Sequence, residues 1–131
     1  MIGVDTNVLV RYLTQDDMIQ ARIVDTFLDA AIENGSQLRV DDIVLCEVVW
    51  VLRAAYRLGK SAIAEALDRV MNTAIFSFDD REILRGTLAD YLEGEGDFSV
   101  YLIGRRNARA GCDHTVTFDR QLTGRSSFVL L

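Results

Sequence analysis

Asp5, Glu47 and Asp119 each stand in an apolar setting: Ile2-Gly3-Val4-Asp5-Thr6-Asn7-Val8-Leu9-Val10, Ile43-Val44-Leu45-Cys46-Glu47-Val48-Val49-Trp50-Val51-Leu52 and His114-Thr115-Val116-Thr117-Phe118-Asp119. Taking an ionised carboxylate out of water costs several kcal/mol unless a cation or a hydrogen-bond network compensates. Three such acids, far apart in sequence, imply one shared compensator and predict a buried metal site. His114 is the single histidine, so the ligands are oxygens, which favours Mg²⁺ or Mn²⁺ over zinc. Two carboxylates about 4 Å apart repel by about 1 kcal/mol in water and about 4 kcal/mol at an effective dielectric near 20, so a cation is one way to hold them together. A hard cation on carboxylates polarises a phosphoryl oxygen, lowers the pKa of a coordinated water and aligns an in-line displacement. Those are the requirements of phosphodiester hydrolysis.

Each acid also has a structural explanation. Asp5 can cap a helix that begins at Thr6, and Asp119 can open the loop Asp119-Arg120-Gln121. Asp97 follows Gly96 and precedes an apolar helix, the setting of an N-cap. Glu47 is harder to explain this way, because its neighbours from Ile43 to Leu52 are aliphatic or aromatic apart from Cys46; a buried pairing with Arg53 is the alternative. Thr6, Asn7 and Thr117 can orient carboxylates or bind a phosphate, or serve as strand-end turn residues.

The elements that must position these side chains follow from periodicity. A strand over residues 2–5 leads into a helix capped by Thr6 or Asn7 and running to about Leu13. Ile19, Ile23, Phe27, Leu28, Ala31 and Ile32 recur at helical spacing over 18–32, and Asn34-Gly35 stops that helix. Leu38 to Val40 is a strand. Asp41 or Asp42 caps a long helix that carries Glu47 and ends near Leu58-Gly59. A helix over 61–72 presents Ile63, Ala66, Leu67, Val70 and Met71, and Ala74 to Phe78 form a strand. Asp79 caps a helix with Ile83, Leu84, Leu88, Tyr91 and Leu92, which Gly94-Glu95-Gly96 ends. Asp97 opens a helix to Ala110-Gly111, and His114 to Phe118 and Phe128 to Leu131 are strands. This alternation predicts a three-layer α/β/α sandwich with a mainly parallel sheet, formed by residues 1–131 as a single domain. In such sheets ligands collect beyond the carboxyl ends of the strands, where Asp5 and Asp119 fall.

At 131 residues and 50% hydrophobic content, the chain can bury one ordinary core. The absence of a basic leader or a bilayer-length apolar run leads us to expect a cytoplasmic protein with no membrane partner. Cys46 and Cys112 lack metal-ligand spacing and are expected as free thiols. A net charge of −6 argues against nonspecific coating of nucleic acid. Thirteen of the 14 basic residues are arginines. They fall into groups, Arg53 and Arg57 with Lys60, then Arg105, Arg106 and Arg109, then Arg120 and Arg125, consistent with a cationic rim around an acidic centre or with solvated helix faces.

Taken together, these segments resemble the PIN-domain ribonucleases, specifically the toxins of VapBC toxin–antitoxin modules. Val4-Asp5-Thr6-Asn7-Val8-Leu9-Val10-Arg11 resembles their first motif, Glu47-Val48-Val49-Trp50-Val51-Leu52 their second, Gly96-Asp97-Phe98-Ser99-Val100-Tyr101-Leu102-Ile103 their third and Thr117-Phe118-Asp119-Arg120 their last. The resemblance implies a PIN fold, Mg²⁺- or Mn²⁺-dependent endoribonuclease activity, and homodimerisation. It also implies a cognate antitoxin whose tail occupies the acidic groove, and so a toxin–antitoxin hetero-oligomer. Carried over by position, Asp5, Glu47 and Asp119 are the acidic cluster; Arg105, Arg106 and Arg120, with Thr6, Asn7 and Thr117, are expected to contact the RNA. The third motif departs from the pattern: similar toxins place a metal-binding Asp where this chain has Val100. Asp97, three residues earlier, is the candidate for partial substitution. The expectation is a nuclease toxin weakened or inactivated at Val100, or a pseudo-nuclease that binds and sequesters an antitoxin. A phosphoacceptor signalling domain also has strand-end acids, but gives Glu47 no role.

Overall fold

The computed structural model describes residues 1–124 and 127–131. The chain divides into two compact units, Met1–Asp79 and Asp80–Leu131.

In the first unit, β1 (Ile2–Gly3), β2 (Leu38–Arg39) and β3 (Phe76–Ser77) form a parallel sheet in that order, with Ile2 opposite Leu38 and Leu38 opposite Phe76. The strands are shorter than the sequence implies, but the ladder continues at their ends. Val4 N donates to Arg39 O at 3.1 Å and Val40 N to Ser77 O at 2.9 Å. Leu38 and Phe76 are fully buried, and the Tyr12 ring meets Phe76 edge-on with centroids 5.5 Å apart, a geometry the ring quadrupoles favour.

Four helices belong to this unit: α1 (Thr6–Thr14), α2 (Met18–Glu33), α3 (Asp42–Ala54) and α4 (Lys60–Met71). Asp5, rather than Thr6 or Asn7, caps α1, and Asp41 caps α3 by accepting from Ile43 N. Gly35, at φ +66°, follows the end of α2, a left-handed conformation that costs a side-chain-bearing residue more. The buried stripe of α2 is Ala21, Val24, Leu28 and Ala31, while Ile19, Ile23 and Ile32 are exposed. The expected stripe was therefore rotated; the small alanines, not the isoleucines, permit close helix approach. Helix α3 stops at Ala54, earlier than expected, and Arg57 beyond it takes a positive φ of 54°. Ile63, Leu67, Val70 and Met71 are buried on α4 as their spacing predicts, with Ala64 added.

In the second unit, α5 (Arg81–Glu93) and α6 (Phe98–Arg109) precede β4 (Thr115–Thr117), a 3₁₀ turn over Arg120–Leu122 and β5 (Phe128–Leu130). The two strands pair in parallel, Thr115 opposite Phe128, so every described strand pairing in the chain is parallel. Asp80, not Asp79, caps α5 by accepting from Ile83 N; Asp79 instead pairs with Arg39 at 2.9 Å. Tyr91, Phe98, Tyr101 and Phe128 build the core through edge-on ring pairs. Gly96 N donates to the buried Tyr101 hydroxyl at 2.9 Å, fixing the loop that leads into α6. Among the described residues, no helix is long and apolar enough to cross a membrane. Among the described residues, neither Cys46 nor Cys112 is joined in a disulfide.

Candidate metal site

The first unit brings two of the predicted acids onto one residue. Asp5 sits just past β1 in extended backbone, and its Oδ1 accepts from Thr6 N at 2.7 Å. The Thr6 hydroxyl then donates to Glu47 Oε2 on α3 at 2.5 Å. Thr6 is buried, whereas Asp5 and Glu47 are exposed. Among the described residues, no hydrogen bond reaches the second carboxylate oxygen of either acid, and no ion pair forms with Arg53 or any other cation at Glu47.

The expected burial of the acids is thus corrected. The face of α3 that enters the core is Leu45, Val48, Val49 and Leu52. Glu47 lies on another face together with Ile43 and Trp50, which are 68% and 61% exposed, so the apolar run around it is not a buried environment. Asp5 and Asp119 lie beyond the ends of short strands and are also exposed. Their carboxylates keep water, and the desolvation argument does not apply to them.

The second unit holds the remaining acids. Asp97 caps α6, its Oδ1 accepting from Phe98 N at 2.9 Å, and Val100 is a half-buried residue of the first turn of that helix. Asp119 caps the 3₁₀ turn through Gln121 N at 2.9 Å, and its own N–H donates to Thr117 Oγ1 at 3.0 Å. The structural roles foreseen for Asp5, Asp97 and Asp119 are all present, and the caps made by Asp5 and Asp119 each use one carboxylate oxygen. Among the described residues, no group of three or more His, Cys, Asp or Glu side chains stands ready to hold a metal ion.

The arginines differ from one another. Arg105 is bound to Asp90 by two bonds, Nε to Oδ2 at 2.8 Å and Nη2 to Oδ1 at 2.9 Å. Arg109 pairs with Asp80 at 2.5 Å. Arg120 is exposed, Arg106 is half-buried in the last turn of α6, and Asn7 is exposed on α1. Arg125 lies outside the described residues. Two groups escaped the sequence reading. Asp90 is buried on α5, and its spacing from Ile83 and Thr87 was the available signal. Arg11, inside the first motif, donates to Gln20 and to the Tyr56 hydroxyl, which in turn donates to Asp16 at 2.7 Å. That network ties the end of α1 to the start of α2 and to the residues after α3, and nothing local in the sequence announces it.

A family model for the PIN domain matches residues 2–93. The chain belongs to the PIN-domain family. It is also 23% identical over 117 residues to a VapC ribonuclease of Aquifex aeolicus (strain VF5), covering 89% of this chain and 86% of that protein. Both comparisons agree with the motif resemblance and make this a VapC-like PIN-domain protein with the family's α/β fold. PIN nucleases are generally dependent on a divalent metal. The donor chemistry here fits one: Asp5 and Glu47 each keep a hard oxygen without a hydrogen-bond partner among the described residues. Mg²⁺ binds through as few as one or two carboxylates and retains several waters.

Proposed function

We propose that the chain is the toxin of a type II toxin–antitoxin module, with a metal-dependent endoribonuclease fold weakened or inactivated by Val100. The observation that carries this reading is the Thr6-bridged pair of Asp5 and Glu47 beyond the carboxyl end of β1, in a chain of the PIN-domain family. Residues 1–131 act as one domain in this reading, and Asp5, Glu47 and Asp119 supply its acids. When bound, Mg²⁺ or Mn²⁺ supplies the positive charge that offsets these carboxylates and activates water for attack on phosphorus. Asp5 and Asp119 hold the cation, and Glu47 is a ligand or proton acceptor. Asn7, Thr117, Arg106 and Arg120 contact the RNA backbone, contacts that set register rather than sequence. Arg105 enters this list only through what its bonds to Asp90 leave exposed.

Val100 places no donor oxygen where similar toxins carry an Asp, which removes a ligand and a unit of negative charge. Asp97, three residues earlier on the same helix, is the candidate for partial compensation, directly or through water. A cognate antitoxin, assembly as a homodimer or toxin–antitoxin hetero-oligomer, and a cytoplasmic location complete the proposal.

Val100 also favours a second reading, a pseudo-nuclease that binds and sequesters an antitoxin. The two are separated by incubating the purified chain and Val100→Asp with RNA and Mn²⁺. Greater cleavage by Val100→Asp supports the weakened nuclease, and equal cleavage by both removes Val100 as the defect. No cleavage by either, with tight antitoxin binding by both, supports the second reading.

A further inference from the structure

We propose that Thr6 is a positioning residue for the acidic pair rather than an RNA contact, its single hydroxyl proton being committed to Glu47. The inference rests on the metal site assigned to Asp5 and Glu47 above. A threonine in a helix can return its hydroxyl to the carbonyl four residues back. Thr14 does so to Val10 O at 2.8 Å and Thr87 to Ile83 O at 2.8 Å. Thr6 is the first residue of α1, so no helical turn precedes it, and its hydroxyl reaches Glu47 on another helix instead.

Its backbone serves the other acid, since Thr6 N–H donates to Asp5 Oδ1. One buried residue therefore fixes one oxygen of each carboxylate and leaves the other oxygen of each turned to other uses. A hydroxyl has one proton to give. With that proton on Glu47, Thr6 can meet a phosphate oxygen only by releasing the carboxylate. Its β-branch stiffens χ1, and its burial keeps the side chain from swinging outward.

The test compares wild type with Thr6→Val, which keeps the shape and removes the donor, and Thr6→Ser, which keeps the donor. Two quantities are read: the Mn²⁺ dissociation constant by calorimetry, and the side-chain three-bond couplings of Glu47 by NMR without metal. Thr6→Val is expected to weaken Mn²⁺ binding by about 10- to 100-fold, the usual effect of removing a group that orients a ligand. Its Glu47 couplings are expected to average over rotamers, while Thr6→Ser stays close to wild type in both. Unchanged couplings and affinity in Thr6→Val overturn the inference. Wild type that binds no Mn²⁺ overturns the metal site instead, and the couplings still decide whether Thr6 holds Glu47. If Thr6→Val does not fold, Thr6→Ala against Thr6→Ser makes the same comparison.

Discussion

Arg105 closes a two-pronged ion pair on Asp90, joining α6 to α5, and its guanidinium lies over Gly86, where a Cβ would come within 2.4 Å of Nη1. The glycine gives the planar group room to lie along α5. The Asp90 side chain is only 7% exposed while that of Arg105 is 39% exposed. Asp90 raises the Arg105 pKa above its ordinary value, chiefly through these hydrogen bonds. The pair is a clamp within the second unit, which makes it a poor candidate for reading RNA.

The two truncations of this pair should differ. Arg105→Ala takes the guanidinium from a carboxylate that is almost out of water, an expected loss of about 2–3 kcal/mol. Asp90→Ala leaves a partly exposed arginine that can turn to solvent, and replaces Asp by a better helix former, so the expected loss is about 1 kcal/mol. Urea unfolding followed by circular dichroism measures both. Equal losses, or a larger loss for Asp90→Ala, would contradict the clamp.

Much of the fold was legible because capping and breaking residues act locally: Asp41, Asp97 and Gly35 mark helix ends as their chemistry predicts. What periodicity could not fix is which of two apolar faces enters a core, since Ile43 and Trp50 on α3 are as hydrophobic as Leu45 and Leu52 on the same helix. Glu47 was singled out because burial was expected there, and the structure overturns that burial. The apolar run surrounds it in sequence, and the helix turns it outward. Long-range partners such as Thr6 with Glu47, 41 residues apart, leave no local pattern at all.

Exposure of Glu47 carries its own prediction. Glu47→Gln keeps an acceptor for the Thr6 hydroxyl and changes a surface position, so its stability should fall within about 0.5 kcal/mol of wild type. Mn²⁺ binding should nevertheless weaken, because a unit of negative charge is lost from the proposed site. Thermal unfolding and calorimetric titration of the same sample separate the two effects. A large drop in melting temperature would mean that Glu47 serves the fold, and unchanged Mn²⁺ affinity would remove it from the ligand set.

Asp80 gives a pH dependence whose sign is fixed by its contacts. The backbone N–H of Ile83 at 3.0 Å is the main cause holding its pKa below the ordinary 3.8, and the positive charges of Arg109 and then Arg106 add to this. Because the folded state binds this proton less readily than the unfolded one, the ionised side chain stabilises the fold above about pH 4, and that contribution is lost as pH falls through the depressed folded value. Asp80→Asn keeps a capping oxygen but has no proton to titrate. Wild type should therefore be the more stable of the two at neutral pH, and the gap should close on acidification through the depressed folded value. Melting temperatures of both proteins across that range measure it; a gap independent of pH would show that the charge on Asp80 does not act through the cap of α5 or through the arginines of α6.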